Sequence, residues 1–499
     1  MFKNAETLLR LLLSCCMLTA VHFAKAQSTT LEMNLQEVIV MAQQQAPSVQ
    51  IAETRLTNNY WQYQSFLADF KPQIDLEADL PQLERGIQSY ILPNGRDVFL
   101  SRASLTSSAN IFLRQTLSLT GGTVYARTGL QHKYNFATEV DPSLNFFFST
   151  PISVGFFQPL FAFNELKWGK KIEPLRYSES RRAYSEDMEQ AAQTAASLFF
   201  DVLLAQFDVQ AAEREKSNAD TLYGINKGRF SVGRIAETEL LQVELQVMNA
   251  DSRLAAATVG LQSAMENLRN FLGIKQAVSF KLEPPTDIPV FGIDAAKALD
   301  FARQHRSETL QFERLLLEAE RDVAEAKANN GVSLNINGSF GLSQTGNTLS
   351  EALSRPLDQE RLSVGLRVPI ADWGKAQSRL EIQKSNRELT NRIVEQDRIN
   401  FEREVLLKVQ QFELIRNQVK LALRAFEVAQ KRNNITRQRY LIGKISITDL
   451  NLAIGEQEAA RVSYVNALQA FWLTYYEIRL LTLYDFENDQ PLVKVKEGF

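Results

Sequence analysis

Apolar and polar residues alternate in four short stretches of the chain. Ile74, Leu76, Ala78 and Leu80 are interleaved with Asp75, Glu77 and Asp79; Leu334, Ile336, Gly338 and Phe340 are interleaved with Asn335, Asn337 and Ser339. Leu362, Val364, Leu366 and Val368 alternate with Ser363, Gly365 and Arg367, and Ile152, Val154 and Phe156 with Ser153, Gly155 and Phe157, where Phe157 blurs the pattern. Period two with one polar face predicts strands with a lipid-facing and a water-facing side, or a small soluble sheet packed on helices. Strands are expected near 73–84, 149–159, 332–342 and 361–369. The segment Val332 to Leu342 has the roughly 9 to 11 residues that a tilted membrane strand needs.

Elsewhere the pattern is helical. A helix of about 35 residues is expected over Leu35 to Phe70 and another over Ala295 to Asn329. Very long helices follow the strands, near Lys170 to Tyr223 and Lys375 to Arg437. Each runs into a turn centred on Gly233 or Gly443 and then a closing helix of about 40 residues. A helix of 60 residues is about 90 Å long, which implies coiled-coil packing. Val405, Val409, Phe412, Arg416, Val419, Leu423 and Phe426 keep steps of four and three, with only Arg416 off-type. Ala191, Ala192, Ala195 and Ala196 are small enough for helices to approach closely.

The chain is written twice. Ser153-Val154-Gly155 with Pro159 returns as Ser363-Val364-Gly365 with Pro369, and Arg229-Phe230 with Gly233-Arg234-Ile235 returns as Arg439-Tyr440 with Gly443-Lys444-Ile445, both at a shift of 210 positions. Between them Trp168-Gly169-Lys170 returns as Trp373-Gly374-Lys375. Three matches in one order define an internal repeat. The first copy occupies 27–294 and the second 295–499, after a leader over 1–26.

In each copy the strands join two helices that point the same way, so they cap one end of a rod. Four strands cannot close a barrel, and an open edge is not tolerated in lipid. Three protomers of four strands each would give twelve, a common barrel size. The first copy carries extra residues between its strands; the alternation on either side of Gly121-Gly122 predicts a β-hairpin over 109–136. Whether it joins the barrel or projects as a loop is open in the sequence.

Lys3 and Arg10 flank an apolar stretch that reaches Val21, and Ala24-Lys25-Ala26 follows. This is a secretory signal peptide, with the mature chain beginning near Gln27. A membrane anchor is too short here; a lipoprotein would instead be cut before Cys15 or Cys16. Both cysteines lie in the leader, so a chain cut after Ala26 has no disulfide or thiolate. No later run of about 18 apolar residues reads as a membrane helix. The formal net charge of -3 gives no reason to expect nucleic acid. His132 and His305 are the only histidines after the leader and offer no metal-ligand spacing and no nucleophile-base set. Neither an enzyme nor a cofactor is expected.

In this order, the duplicated helix-strand-strand-helix-helix unit resembles the TolC family of outer-membrane efflux and secretion channels. The resemblance covers nearly the whole mature chain. Pro159-Leu160-Phe161 and Pro369-Ile370 ahead of Trp-Gly-Lys reinforce it, and Arg439-Tyr440-Leu441-Ile442-Gly443 with Asp449-Leu450 is its most specific part. It implies a mainly α protein with a membrane β-barrel. Three chains would form a 12-stranded β-barrel continuous with a long periplasmic α-helical barrel, with 273–289 and the tail after Tyr484 in an equatorial collar. It further implies a homotrimer in outer-membrane lipid that serves a tripartite pump or type I secretion system. The partners would be a periplasmic adaptor (membrane fusion protein) and an inner-membrane pump or ABC transporter. The competing reading from the helices is a soluble periplasmic coiled-coil scaffold or adaptor.

Asp449 matches a carboxylate with which the family closes its periplasmic end, and Glu239 is its counterpart in the first copy. A ring of three Asp449 carboxylates would repel anions at a narrow mouth, although Ser446 to Asp449 is also a capping box. Arg229, Phe230, Gly233, Arg234, Arg439, Tyr440, Gly443 and Lys444 make up the tip turns and candidate adaptor contacts. Pro159, Trp168, Gly169, Pro369, Trp373 and Gly374 mark the strand-helix junctions, where the tryptophans suit an interfacial belt or packing in the collar.

Overall fold

The computed structural model describes residues 29–91, 95–137, 142–276, 278–285, 288–289, 291–442, 444–445 and 447–493. The expected leader and Gly443 lie outside them. The chain divides into two compact units, one of residues up to Ala52 with Ser185–Leu299 and Val405–Leu492, the other of Glu53–Tyr184, Asp300–Glu404 and Val493–Phe499.

The first unit is helical. Helix α1 (Leu35–Gln45) opens with a capping box, Asn34 and Glu37 each accepting the other's backbone N–H at 2.9 Å. It ends at Ala46, whose extended backbone (φ -58, ψ 138) suits a residue ahead of proline, and α2 (Pro47–Ala68) begins on that proline. The single opening helix expected from the sequence is therefore two. The corresponding helix in the second copy is also broken, into Ala295–His305 and Ser307–Asn329, at Arg306 and without a proline.

The long helices exceed their expected ranges. Helix α3 (Glu165–Ser231) has 67 residues and is followed by α4 (Glu237–Phe271); Lys375–Leu441, also 67 residues, is followed by Ile447–Thr482. Helix α3 contains one 18-residue window apolar enough to cross a membrane, which corrects the expectation that none follows the leader. Phe199, Phe200 and Leu203 on this helix are fully buried, with Leu268, Phe412 and Phe471 on the other three. The window is 44% buried, and a helix that supplies core residues passes the same test of length and composition. Val405, Val409, Phe412 and Val419 are buried as their heptad spacing predicts. The off-type Arg416 donates to the Phe291 carbonyl and pairs with Glu413 at 2.6 Å.

One buried charge cluster ties the end of the chain to this core. Arg479 donates Nε and Nη2 to Glu189 at 2.8 and 3.2 Å and Nη1 to Asp485 at 3.0 Å. Tyr475 donates its hydroxyl to Asp485 at 3.0 Å, and the Asn488 side chain does the same. Burial pushes the Tyr475 hydroxyl far above its usual range. Burial also pushes the Asp485 carboxyl up, but the Asn488 hydrogen bonds and the Arg479 charge outweigh it and hold Asp485 below the ordinary carboxylate value.

The expected collar segments do not pair with each other. Strand β1 (Thr29–Met33) pairs in parallel with β6 (Val278–Leu282), while Tyr484–Asp485 forms its own small ladder with Gln490–Pro491.

In the second unit a single antiparallel sheet contains six strands. These are β2 (Gln73–Ile91), β3 (Asp97–Thr116), β4 (Thr123–Asn135), β5 (Leu144–Leu160), β7 (Ser333–Gly346) and β8 (Leu357–Arg367), paired in that order. The sequence expectation of four strands per chain is corrected to six. The hairpin around Gly121-Gly122 is larger than 109–136, and its two arms are full members of the sheet. β2 also runs well beyond the expected stretch near 73–84, with 19 residues, and β3, the first arm of the hairpin, has 20. On the adjoining helices, Arg314 holds Glu179 at 2.6 Å and Glu318 at 3.0 Å, and Glu318 also pairs with Arg176 at 2.7 Å.

Candidate functional site

The strand register gathers the alternation into two opposed faces. Ile74 lies opposite Leu113, Leu113 opposite Ala126, and Ala126 opposite Val154; Val154 pairs with Phe340 and Ile336 with Val364. Leu76, Ile111, Val124, Phe156 and Leu366 share that side, so one face is mainly apolar on all six strands, interrupted by Gln115, Thr128, Gln158 and Glu360. The other face carries Asp75, Glu77, Asp79, Asn110, Arg114, Tyr125, Arg127, Asn337, Ser339, Arg361 and Arg367. Glu77 and Arg114 form an ion pair across β2 and β3 at 2.5 Å.

The apolar face is exposed: Ile74 and Leu362 are 72% and 74% accessible. A soluble protein rarely leaves so wide an apolar surface open to water. Two glycines allow aromatic rings to lie across the strands. A Cβ on Gly155 would come within 2.6 Å of the Tyr125 ring and 2.7 Å of the Gly338 carbonyl, and one on Gly338 within 2.6 Å of the Phe156 ring.

The strand-helix junctions differ between the copies. Pro159 is still in the sheet, opposite Asn335, and Phe161 leaves it in a left-handed conformation, φ +65. Trp168 is half-buried with Lys171 Nζ 5.2 Å from its ring centre, and Gly169 lies against Phe66, where a Cβ would come within 2.6 Å of the ring. In the second copy Pro369 is exposed and Trp373 is 94% accessible, with φ +52, ahead of Gly374 at φ +86. The Asp372 carboxylate fixes this exit by accepting the backbone N–H groups of Gly374 and Ala376 at 3.0 and 2.8 Å. Phe161 and Ile370, which the sequence offered only as part of the motifs that close the strands, are 71% and 97% accessible. Their only signal was their place immediately after Pro-Leu and Pro.

Both helix-hairpin tips are in the first unit. At the first, Gly233 takes φ +68, and Arg234 N–H reaches back to the Arg229 carbonyl while Gly233 N–H reaches Phe230, both at 2.9 Å. This is a Schellman-type end, which a residue without a Cβ adopts at least cost. At the second tip Lys444 N–H meets the Arg439 carbonyl at 3.0 Å, the same relation. Of Tyr440 only the backbone, at the end of its helix, is described, and Ser446 of the predicted capping box also lies outside the described residues.

Arg229, Arg234, Arg439 and Lys444 are exposed, and Phe230 and Ile442 are 40% and 65% accessible beside them. Glu239 and Asp449 are both exposed in the first turn of a helix, and Ala236 caps the Glu239 helix without any side-chain bond. Asp449 lines a groove with Arg432, Ile435 and Arg439. Among the described residues no cluster of three or more His, Cys, Asp or Glu has the placing to hold a metal ion.

The model of one protein family, described as outer membrane efflux protein, matches residues 148–274 and 300–481. No curated protein matches the chain by sequence. Solved structures share its fold. The CmeC outer membrane channel of Campylobacter jejuni is 15% identical with a TM-score of 0.63, over 90% of this chain and 85% of that one. The open state of the MtrE outer membrane channel of Neisseria gonorrhoeae is 15% identical with a TM-score of 0.58, over 90% and 88%. The outer membrane protein VceC of Vibrio cholerae is 12% identical with a TM-score of 0.55, over 90% and 95%.

Proposed function

The chain belongs to the outer membrane efflux protein family, and from that premise we propose that three copies form a passive exit duct, energised by an inner-membrane partner. Its place is the outer membrane of a Gram-negative cell, reaching into the periplasm. The observation that carries the reading is the two-faced sheet. Its apolar side suits lipid and its polar side a water-filled lumen, and a sheet with two open edges survives in lipid only when those edges are closed.

The two tips are the proposed adaptor contacts, with Arg229, Arg234, Arg439 and Lys444 around Phe230 and Ile442. Glu239 and Asp449 are the proposed gate carboxylates, each at a helix start beside the basic turns. In this reading the duct serves a tripartite pump or a type I secretion system, meets a periplasmic adaptor and performs no chemistry. The two copies of the unit, 27–294 and 295–499, are proposed to descend from one duplication, behind a leader over 1–26. Phe161, Ile370 and Trp373 suit the lipid interface at the rim where strands give way to helices.

The test is fractionation followed by reconstitution. The full-length protein should sediment with outer membranes, leave them in detergent as a particle of three chains, and give defined conductance steps in planar bilayers. Recovery in the soluble periplasmic fraction would sink the proposal in favour of a coiled-coil scaffold.

A further inference from the structure

We propose that the barrel closes with eighteen strands rather than twelve, β8 of each copy pairing with β2 of the next in a defined register. The inference rests on the trimeric duct proposed above and adds its strand count and its seam.

β2 and β8 are the two ends of the sheet, and neither has a second strand partner among the described residues. β8 is exposed at every residue. Because the sheet has an even number of antiparallel strands, β2 and β8 run in opposite directions. A second copy therefore continues the antiparallel pattern at the seam without a break.

The register also fixes how the copies meet. The ladder that starts at Gln73, the first residue of β2, passes through Arg114, Tyr125, Gly155 and Ser339 and arrives at Arg361. Arg361 is six residues short of Arg367, where β8 ends. The end of the sheet nearest the helices thus slants across the ladder by six residues per copy, or one per strand. With a rise of about 3.3 Å per residue and about 4.8 Å between strands, that slant corresponds to a tilt of about 35°. Closed barrels tilt their strands by about 35–45°.

A level rim then sets Gln73 of the next copy opposite Arg367. The same register puts Leu366 opposite Ile74, Val364 opposite Leu76 and Leu362 opposite Ala78 on the apolar face. On the polar face Arg361 meets Asp79, and Arg367 is diagonal to Asp75. Among the described residues none of these four charged side chains forms an ion pair within its own copy. A slip of one residue at the seam would put Arg367 against Ile74 and set the polar face of one copy beside the apolar face of the next. Three copies in this register make a ring about 34 Å across between backbones, against about 22 Å for twelve strands at the same spacing and tilt.

Two measurements test this on the full-length protein in isolated outer membranes and after extraction. Residues directly opposite across a seam lie within disulfide reach. Glu77→Cys with Ser363→Cys should therefore yield a covalent trimer on mild oxidation, seen on a non-reducing gel, while Glu77→Cys with Leu362→Cys should link at least tenfold less. Electron-microscope averages of the extracted wild-type protein should show the wider ring, which needs no variant to fold. A three-chain particle with the narrower, twelve-stranded ring would overturn the seam and leave the duct standing. Efficient linking of the off-register pair would overturn the register. A particle of one chain would overturn the trimeric reading on which the proposal rests.

Discussion

Replacing Arg479 by Met removes the one cation of the buried cluster and nearly keeps its volume. The side chains of Arg479 and Glu189 are only 14% and 3% accessible, so the Glu189 carboxylate would be left charged and almost dry. Among the described residues its remaining donor is Gln43 Nε2, at 3.4 Å. Breaking one side of such a pair costs about 3–5 kcal/mol. The segment most affected is the tail after Leu483, which Arg479 holds through Asp485. Hydrogen exchange of the 480–493 peptide, followed by mass spectrometry on the detergent-extracted protein, reads that opening directly. At about 1.4 kcal/mol per tenfold, protection there should fall by a hundredfold or more. The double variant Arg479→Met, Glu189→Met should recover much of the loss, because both charges then leave together. Tail protection within threefold of wild type in Arg479→Met would refute the reasoning. So would two single losses that simply add in the double variant.

The same tail should respond to acid. The Asp485 carboxyl is held below its unfolded value, so its contribution is fully present above about pH 4 and is lost as pH falls through the lowered value; protection of the tail peptide, taken relative to the intrinsic exchange rate at each pH, should fall below pH 4 and be flat from pH 5 to 7. Gly155→Leu forces a side chain into the Tyr125 ring and the Gly338 carbonyl, an overpacking cost of about 1–3 kcal/mol; the yield of extracted protein should drop, and Tyr125→Ala added to it should restore part. Gly233→Val at φ +68 should cost about 1–2 kcal/mol at the first tip, read as faster protease cleavage between Phe230 and Glu237 with the sheet unaffected. If Asp449 and Glu239 form the gate, Asp449→Ala with Glu239→Ala should raise single-channel conductance and weaken cation preference; unchanged traces would leave both as ordinary helix-start residues.

What the sequence revealed, and what it hid, follows from which constraints are local. Ile74 to Leu80, Leu334 to Phe340 and Leu362 to Val368 announced strands because each residue there answers to one of two unlike surroundings. The far half of β2 did not, because Arg85 and Ser89 share a face with Leu83 and Ile87. The heptads around Phe412 were legible for the same reason as the short strands, and Pro47 foretold one helix break. Arg306 gave no such sign. The membership of β3 and β4 in the sheet was hidden, since a hairpin in the ladder and one hanging outside it have the same alternation. The Arg479 cluster was also hidden: its members are 290 and 6 positions apart in the chain, and only the fold brings them together.

The β3–β4 hairpin enters and leaves the sheet at the end away from the helices, and its own turn at Gly121-Gly122 lies next to where they join. Such a module can be gained or lost without altering any helix, the direction of either edge strand, or the turns at the far tips. A channel built this way can change its bore in fixed increments, two strands per chain and six per ring of three. The outer opening and the parts that meet other proteins are then free to evolve on separate schedules.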